Sequence, residues 1–376
     1  MNQKTIIQII LITFLGVLGC SQNDKAEEED VRINVEDNYI SMFPNLVADS
    51  LTINVAIHEI ETSSKAKNAF DRWVLKPASD AMSINPYSVV ELNREVMVDV
   101  KANVKAIKIV AVRWMFMDKE STEAKRYLDK TTALILKWAR VNIPINHTPI
   151  ESSITPIYEA YSIIRNHISP SDRETIDKWI RARAAYYKNL NLTGKLLENN
   201  WNTIRISLLL NFSQILDDDV FYNYAVDELA NHIELNILEN GISHDFVDRD
   251  AITYHSYNLL FYARALKAIG MYKGKKEALR FYQYENSKKS SIKEAVNFWE
   301  PYLIDPTNNV HLEFVDTQWA PDKSSNKYNK PYNPESTVYV LDELMYIEPS
   351  CLSYVDAILG VDKYGRNFNF WINLIK

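Results

Sequence analysis

A chain of 376 residues, 47% hydrophobic and 24% charged, is long enough to bury an ordinary core. Its net charge of −7 argues against nucleic acid as a partner, because phosphate backbones are bound by concentrated Lys and Arg. With two cysteines, one of them at position 20, no internal disulfide is expected, and eight glycines are too few for the many tight turns of a strand-rich fold.

The chain opens with one positive charge, Lys4, runs almost wholly apolar from Thr5 to Gly19, and turns polar after Val17-Leu18-Gly19-Cys20. This is the pattern of a bacterial secretion signal closing on a lipobox, too short for a spanning helix of about 20 residues. The expected organisation is a signal peptide over residues 1–19, a lipidated Cys20 with a disordered acidic spacer to residue 30, and one domain over residues 31–376. An acidic tract directly after the Cys points to an outer-membrane lipoprotein, facing periplasm or cell surface. Its membrane contact is the lipid.

Beyond the spacer, Leu51 to Ile57 alternates apolar and polar residues, which suits a strand or an extended arm. Apolar residues then recur at three- and four-residue spacing, predicting helices over 95–117, 121–141, 154–166, 173–190, 202–216, 219–239, 251–271 and 279–299. Ser171 followed by Glu174 reads as a capping box. Helices arriving in succession on short connections predict an all-α fold, an α/α toroid or incomplete barrel in which inner and outer helices alternate. The mixed polar and aromatic stretch 310–333 is expected as a long loop over the cleft.

Three clusters concentrate groups that a plain packing helix avoids. Asn199-Asn200-Trp201-Asn202 with Arg205 offers amides, a stacking plane and a fixed charge at a helix start. His244 to Asp250, continuing through Tyr254, His255, Tyr257 and Asn258, places Tyr254, Tyr257 and Asn258 on one helical face with Arg249 at its N-terminal end. The third is His311-Leu312-Glu313-Phe314-Val315-Asp316, running on to Lys323, Tyr328 and Tyr332. Each has a packing alternative: helix caps for Asn199 and Asn200, core aromatics for Tyr254 and Tyr257, a satisfied core histidine for His255. No metal-ligand spacing such as His-Glu-x-x-His and no Gly-rich phosphate loop appears, so neither metal nor cofactor is implied.

These segments resemble the alginate lyase family, helical-toroid polysaccharide lyases acting on uronic-acid polymers. The resemblance is carried by Glu123 to Leu128 with Lys137-Trp138-Ala139, by Thr148-Pro149-Ile150-Glu151 with Glu159-Ala160-Tyr161, by Asn199 to Asn202, by Arg249-Asp250-Ala251 with Tyr254-His255, and by Glu313-Phe314-Val315. It implies β-elimination at a 4-linked uronate of alginate or glucuronan type, with an acidic polysaccharide or oligosaccharide as partner. In that chemistry a base removes the proton on C5, an acid protonates O4, and donors neutralise the carboxylate.

Tyr254 is then the candidate base or acid, with Arg249 as the cation that lowers its pKa, and His255 or His244 is the second proton-transfer group. Asn200 and Asn202, with Arg205, are candidates for the carboxylate clamp; Asn199, Trp201, Tyr257 and Lys323 complete the binding set. Where the family often places a histidine at or just after the Asn-Asn pair, this chain has Trp201 and Ile204. That leaves open whether Tyr254 does both jobs or another histidine, such as His244, takes part. The alternative is a non-catalytic glycan-binding lipoprotein of the cell surface.

Overall fold

Helix periodicity organises residues 45–375, the part of the chain that the computed structural model describes; the signal segment, Cys20 and the acidic spacer lie outside it. Three helices open this part: α1 (Ser50–Thr62), α2 (Ser64–Phe70) and α3 (Lys76–Ala81). The alternating run 51–57 is thus helical, not extended. Asp49 Oδ1 caps α1 by accepting from the Thr52 N–H, and the run also carries Ile53 and Ala56 at three-residue spacing, both buried.

The body follows as α4 (Met97–Met115), α5 (Thr122–Val141), the short α6 (Thr148–Glu151), α7 (Thr155–Ile164), α8 (Pro170–Lys188), the short α9 (Lys195–Glu198), α10 (Asn200–Leu216) and α11 (Asp219–Asn236). It continues through α12 (His244–Arg249), α13 (Ile252–Lys273), α14 (Lys275–Tyr282), α15 (Ile292–Ile304), α16 (Val338–Leu344), α17 (Cys351–Leu359) and α18 (Phe368–Leu374). Among the described residues the only β pairing is two isolated bridges.

Helix α4 packs on α7, α7 on α10, α10 on α13 and α13 on α16, while α5, α8, α11 and α14 back them from outside. That alternation of an inner and an outer layer is the expected α/α toroid. Its two ends meet: Glu59 on α1 accepts from Lys363 Nζ (2.7 Å), Tyr364 OH (3.0 Å) and Trp371 Nε1 (2.9 Å). Helix α10 is walled in by neighbours, and of its residues only Trp201 is not buried.

Two boundaries differ from the periodic reading. Residues 279–299 form two helices, because Asn286 folds the chain back between them. Its Nδ2 donates to the Ile233 and Ile237 carbonyls, its Oδ1 accepts from the Lys288 and Ser290 N–H groups, and Lys289 adopts a left-handed φ of 60°. Helix α8 starts earlier than the Ser171–Glu174 pair suggests. Ser169 is its cap, accepting from the Asp172 N–H, and Pro170 stands at the first helical position.

Candidate active site

The polar run at the start of α10 divides. Asn199 is the N-cap, its Oδ1 accepting from the Trp201 N–H (3.0 Å). The next backbone N–H, of Asn200, donates to Asp245 Oδ1 (3.0 Å), a fully buried carboxylate whose other oxygen accepts from Asn236 Nδ2 (3.1 Å). Burial pushes the Asp245 carboxyl up to about 7. Asn200 itself is 5% exposed, and its side-chain amide has no hydrogen-bond partner among the described residues.

Asn202 and Arg205 turn the other way. Asn202 Nδ2 donates to the Leu197 carbonyl (3.0 Å) and lies 3.2 Å from His232 Nδ1, and its Oδ1 accepts from Arg205 Nε (2.8 Å). Arg205 also donates to the Tyr187 carbonyl and Tyr224 OH and pairs with Glu228. Both side chains are buried with their hydrogen-bonding capacity used, so the expected roles in a carboxylate clamp are corrected: they tie α10 to α8 and α11.

On the far side, α12 ends at Asp250, whose left-handed φ of 46° turns the chain into α13, a conformation that Asp tolerates well. Its carbonyl accepts from the Phe314 N–H (2.7 Å) and from His311 Nε2 (3.1 Å), and its Oδ2 from the Asp316 N–H (2.7 Å). This anchors the 310–333 loop on α12 and α13. Buried Glu313 adds a second anchor by accepting from the Thr253 N–H (3.2 Å). Arg249 is clasped between Tyr254, 3.7 Å from the ring centre, and Trp319, at 4.5 Å, and forms a bidentate pair with buried Asp322.

The proximity of Arg249 and Tyr254 follows the sequence reading, but the sign of the effect does not. Burial raises the Tyr254 pKa above 10; Arg249 lowers it, and Asp322 works against Arg249. Tyr254 is therefore a neutral phenol at physiological pH. Lys323, next to Asp322 on the loop, is exposed and forms no ion pair among the described residues.

The histidines separate just as clearly. His255 is fully buried, Nδ1 2.9 Å from Ser243 Oγ and Nε2 2.8 Å from the Ala295 carbonyl, and burial depresses its pKa to about 4. It is a satisfied core histidine, which removes it from the proton-transfer candidates. His232 is buried likewise, between Asn202 and Thr203, at about 3. His244 opens α12 beside Asp245, half-buried, with no hydrogen bond to its ring among the described residues.

His147 is not among the residues that the sequence marks as candidates. It caps α6, its Nδ1 accepting from the Ile150 N–H (3.3 Å), and its ring centre lies 4.5 Å from that of Trp201. The segment behind it is tightly held. Thr148 Oγ1 donates to the Trp201 carbonyl (2.9 Å), and Glu151 forms a fully buried pair with Arg183 (3.0 Å) while accepting from Tyr158 OH (2.9 Å). A half-buried cap at a four-residue helix leaves no periodic signal, which is why sequence spacing does not mark it.

Below Tyr254 on α13, Tyr257 (ring centres 6.4 Å apart) enters the wall of a cavity of about 1070 Å³ between α3, α4, α7, α13, α16 and the start of α18. Tyr257 alone of the predicted site residues lines it, joined by Trp73, Phe261 and Tyr339. Most charges on the wall cancel: Lys108 pairs with Glu159 (2.9 Å), Arg264 with Glu343 (3.6 Å), and Asp342 with Arg366 (2.6 Å). Lys101 and Lys105, one turn apart, are exposed and form no ion pair among the described residues, and Arg72 donates to the Tyr364 carbonyl (2.9 Å) and lies over the Trp73 ring without an ion-pair partner among them. Asp80 is the one acidic lining residue without an ion-pair partner among the described residues, so the unbalanced charge is cationic. That positive charge comes from Lys101 and Lys105 on α4 and from Arg72 just before α3, and not from the predicted Arg205 or Lys323, neither of which lines the cavity.

No group of three or more His, Cys, Asp or Glu among the described residues is placed to hold a metal ion. What the site does offer is a neutral phenol and an unpartnered amide, with Tyr257, one turn from Tyr254, reaching the wall of a cationic cavity. These groups suit proton transfer on an anionic sugar.

Comparison with known proteins bears on which reaction this is. No curated protein matches the chain. Among solved structures, a histidine-to-alanine variant of the alginate lyase A1-III, complexed with a tetrasaccharide, matches with a TM-score of 0.53 at 15% identity, covering 71% of this chain and 79% of that one. That likeness establishes the fold. The family model described as alginate lyase matches residues 109–308, more than half of the chain, including every predicted site residue of the body except Lys323. The protein is thus a polysaccharide lyase and belongs to the alginate lyase family.

Proposed function

We propose that the protein cleaves a 4-linked uronic-acid polymer, of alginate or glucuronan type, by β-elimination. The observation that carries this reading is Tyr254, stacked on Arg249 and in ring contact with Tyr257 in the wall of a cavity whose unbalanced charges are cationic. An anionic sugar is drawn to Lys101, Lys105 and Arg72 despite the acidic chain, because field is local on this scale.

In the proposed reaction the C5 proton passes to a base, the C5–H electrons form the C4=C5 bond, the C4–O4 bond breaks, and O4 takes a proton. Tyr254, a neutral phenol, is the donor to O4. His244, whose ring is uncommitted, is the acceptor at C5. The Asn200 amide stabilises the charge that accumulates on the carboxylate.

Incubation with alginate, glucuronan and other polyuronates, followed by ultraviolet absorbance of the unsaturated product, tests this. Absorbance that rises with one of them is expected; binding without absorbance would leave a glycan-binding protein instead. We also propose that Cys20 carries the lipid that tethers the enzyme to the outer membrane. Cys20→Ser should shift the protein from the membrane to the soluble fraction, and unchanged membrane association would count against the tether.

A further inference from the structure

We propose that His147 is a substrate-contacting residue: a fixed N–H donor that holds the carboxylate of the uronate unit seated against Trp201. The inference rests on the lyase reading for the chemistry of the ligand. Its geometry is independent of that reading.

The imidazole is oriented by the helix it caps. Because Nδ1 accepts from the Ile150 N–H, the proton of the neutral ring sits on Nε2, and no acceptor among the described residues meets it. The segment directly after His147 is held by Thr148 on the Trp201 carbonyl and by the buried Glu151–Arg183 pair, which fixes the backbone that carries the ring. Beside it stands Trp201, the one residue of α10 that is not buried, with an interplanar angle of 38° to the imidazole. The same loop runs on to Pro149, Ser152 and Ser153, which line the cationic cavity.

A donor without an acceptor, next to an aromatic plane and on a loop that runs into the wall of a cavity with surplus positive charge, is complementary to a sugar that carries a carboxylate. Burial and the nearby Arg94 hold the His147 pKa below that of free histidine, so the ring is a neutral donor across the neutral range. The other ring nitrogens of the polar core are spent: His232 and His255 use both of theirs within the protein.

A structural role as helix cap and Trp201 neighbour makes a different prediction, and substitutions separate the two. His147→Asn keeps the cap, since Asn is a preferred capping residue, but lacks a donor at the Nε2 position. Its unfolding temperature should stay near that of the wild type, while kcat/KM on polyuronate falls about 100-fold and binding of tetrasaccharides cut from alginate and glucuronan weakens about 10-fold. His147→Gln, which reaches an N–H close to the Nε2 position, should recover part of both.

Unchanged kinetics and binding in His147→Asn would overturn the proposal and leave the lyase reading intact. If the wild type binds these tetrasaccharides without forming unsaturated product, the reaction falls but weaker binding by His147→Asn still supports the contact. A wild type that neither binds nor cleaves any uronate would overturn both.

Discussion

The two ends of the run Asn199 to Arg205 differ more than their composition suggests. Asn202 and Arg205, three residues apart, lie on the face of α10 toward α8 and α11, where every polar atom is matched: amide to carbonyl and histidine, guanidinium to amide, carbonyl and Glu228. Asn200 and Trp201 lie toward α6 and α12, and there the matching stops, with an unpartnered amide, a half-exposed indole and the free Nε2 of His147. Buried polar groups are normally satisfied because an unmade bond costs about 1–3 kcal/mol. A satisfied network therefore marks framework, and incomplete satisfaction beside a cavity marks the place where a ligand completes it.

The comparison predicts opposite phenotypes for the two sides. Tyr254→Phe removes the acid and should lower kcat about 1000-fold or more with an unchanged circular-dichroism spectrum and unfolding temperature; near-normal turnover would exclude Tyr254 from the chemistry. Arg205→Met should act on stability instead, by about 3–5 kcal/mol, because it strands Glu228 and Asn202 in a partly desolvated site. Denaturant unfolding measures this, and the fraction that remains folded should retain its specific activity. A variant as stable as wild type but inactive would move Arg205 back into the site.

His255→Gln probes the same framework by pH. The folded protein holds His255 at about 4 against about 6.5 in the unfolded chain, so the unfolded state binds the proton first. Its contribution is complete above about pH 6.5 and is lost as pH falls toward 4. His255→Gln should cost about 1–3 kcal/mol at pH 7 and make the loss on acidification shallower, with kcat untouched; an unaltered acid profile would contradict the buried neutral state. Smaller still, Lys101→Ala with Lys105→Ala should raise KM several-fold at low ionic strength and progressively less in added salt, because exposed charges act through a screened field. Lys323→Ala should change KM less than twofold, since its exposed side chain lies outside the cavity wall.

Much of this architecture is legible along the chain. The helices of the body follow from apolar spacing, and the pairing of Arg249 with Tyr254 from their separation of five residues across a helix start. The errors have physical causes. Leu51 to Ile57 satisfies both a two-residue and a three-residue period, and the Asp49 cap decides in favour of the helix. The apolar spacing of 279–299 continues through a break whose cause, Asn286, is a contact with carbonyls some fifty residues earlier. The sign of the Tyr254 shift is set first by burial, which outweighs the guanidinium, and Asp322, far downstream on the loop, adds to it by opposing Arg249.

The sequence by itself determined the helical class, the lyase resemblance and the short list of residues capable of the chemistry, because periodicity, turn residues and residue type are local properties. Only the tertiary structure decided which of those residues face a ligand. Asn200 and Asn202 are identical in type and separated by two positions, yet the amide of one meets no partner among the described residues and that of the other is closed by His232 and Arg205. The difference lies in what the neighbouring helices bring to each face, and that is set by packing between segments far apart in the chain.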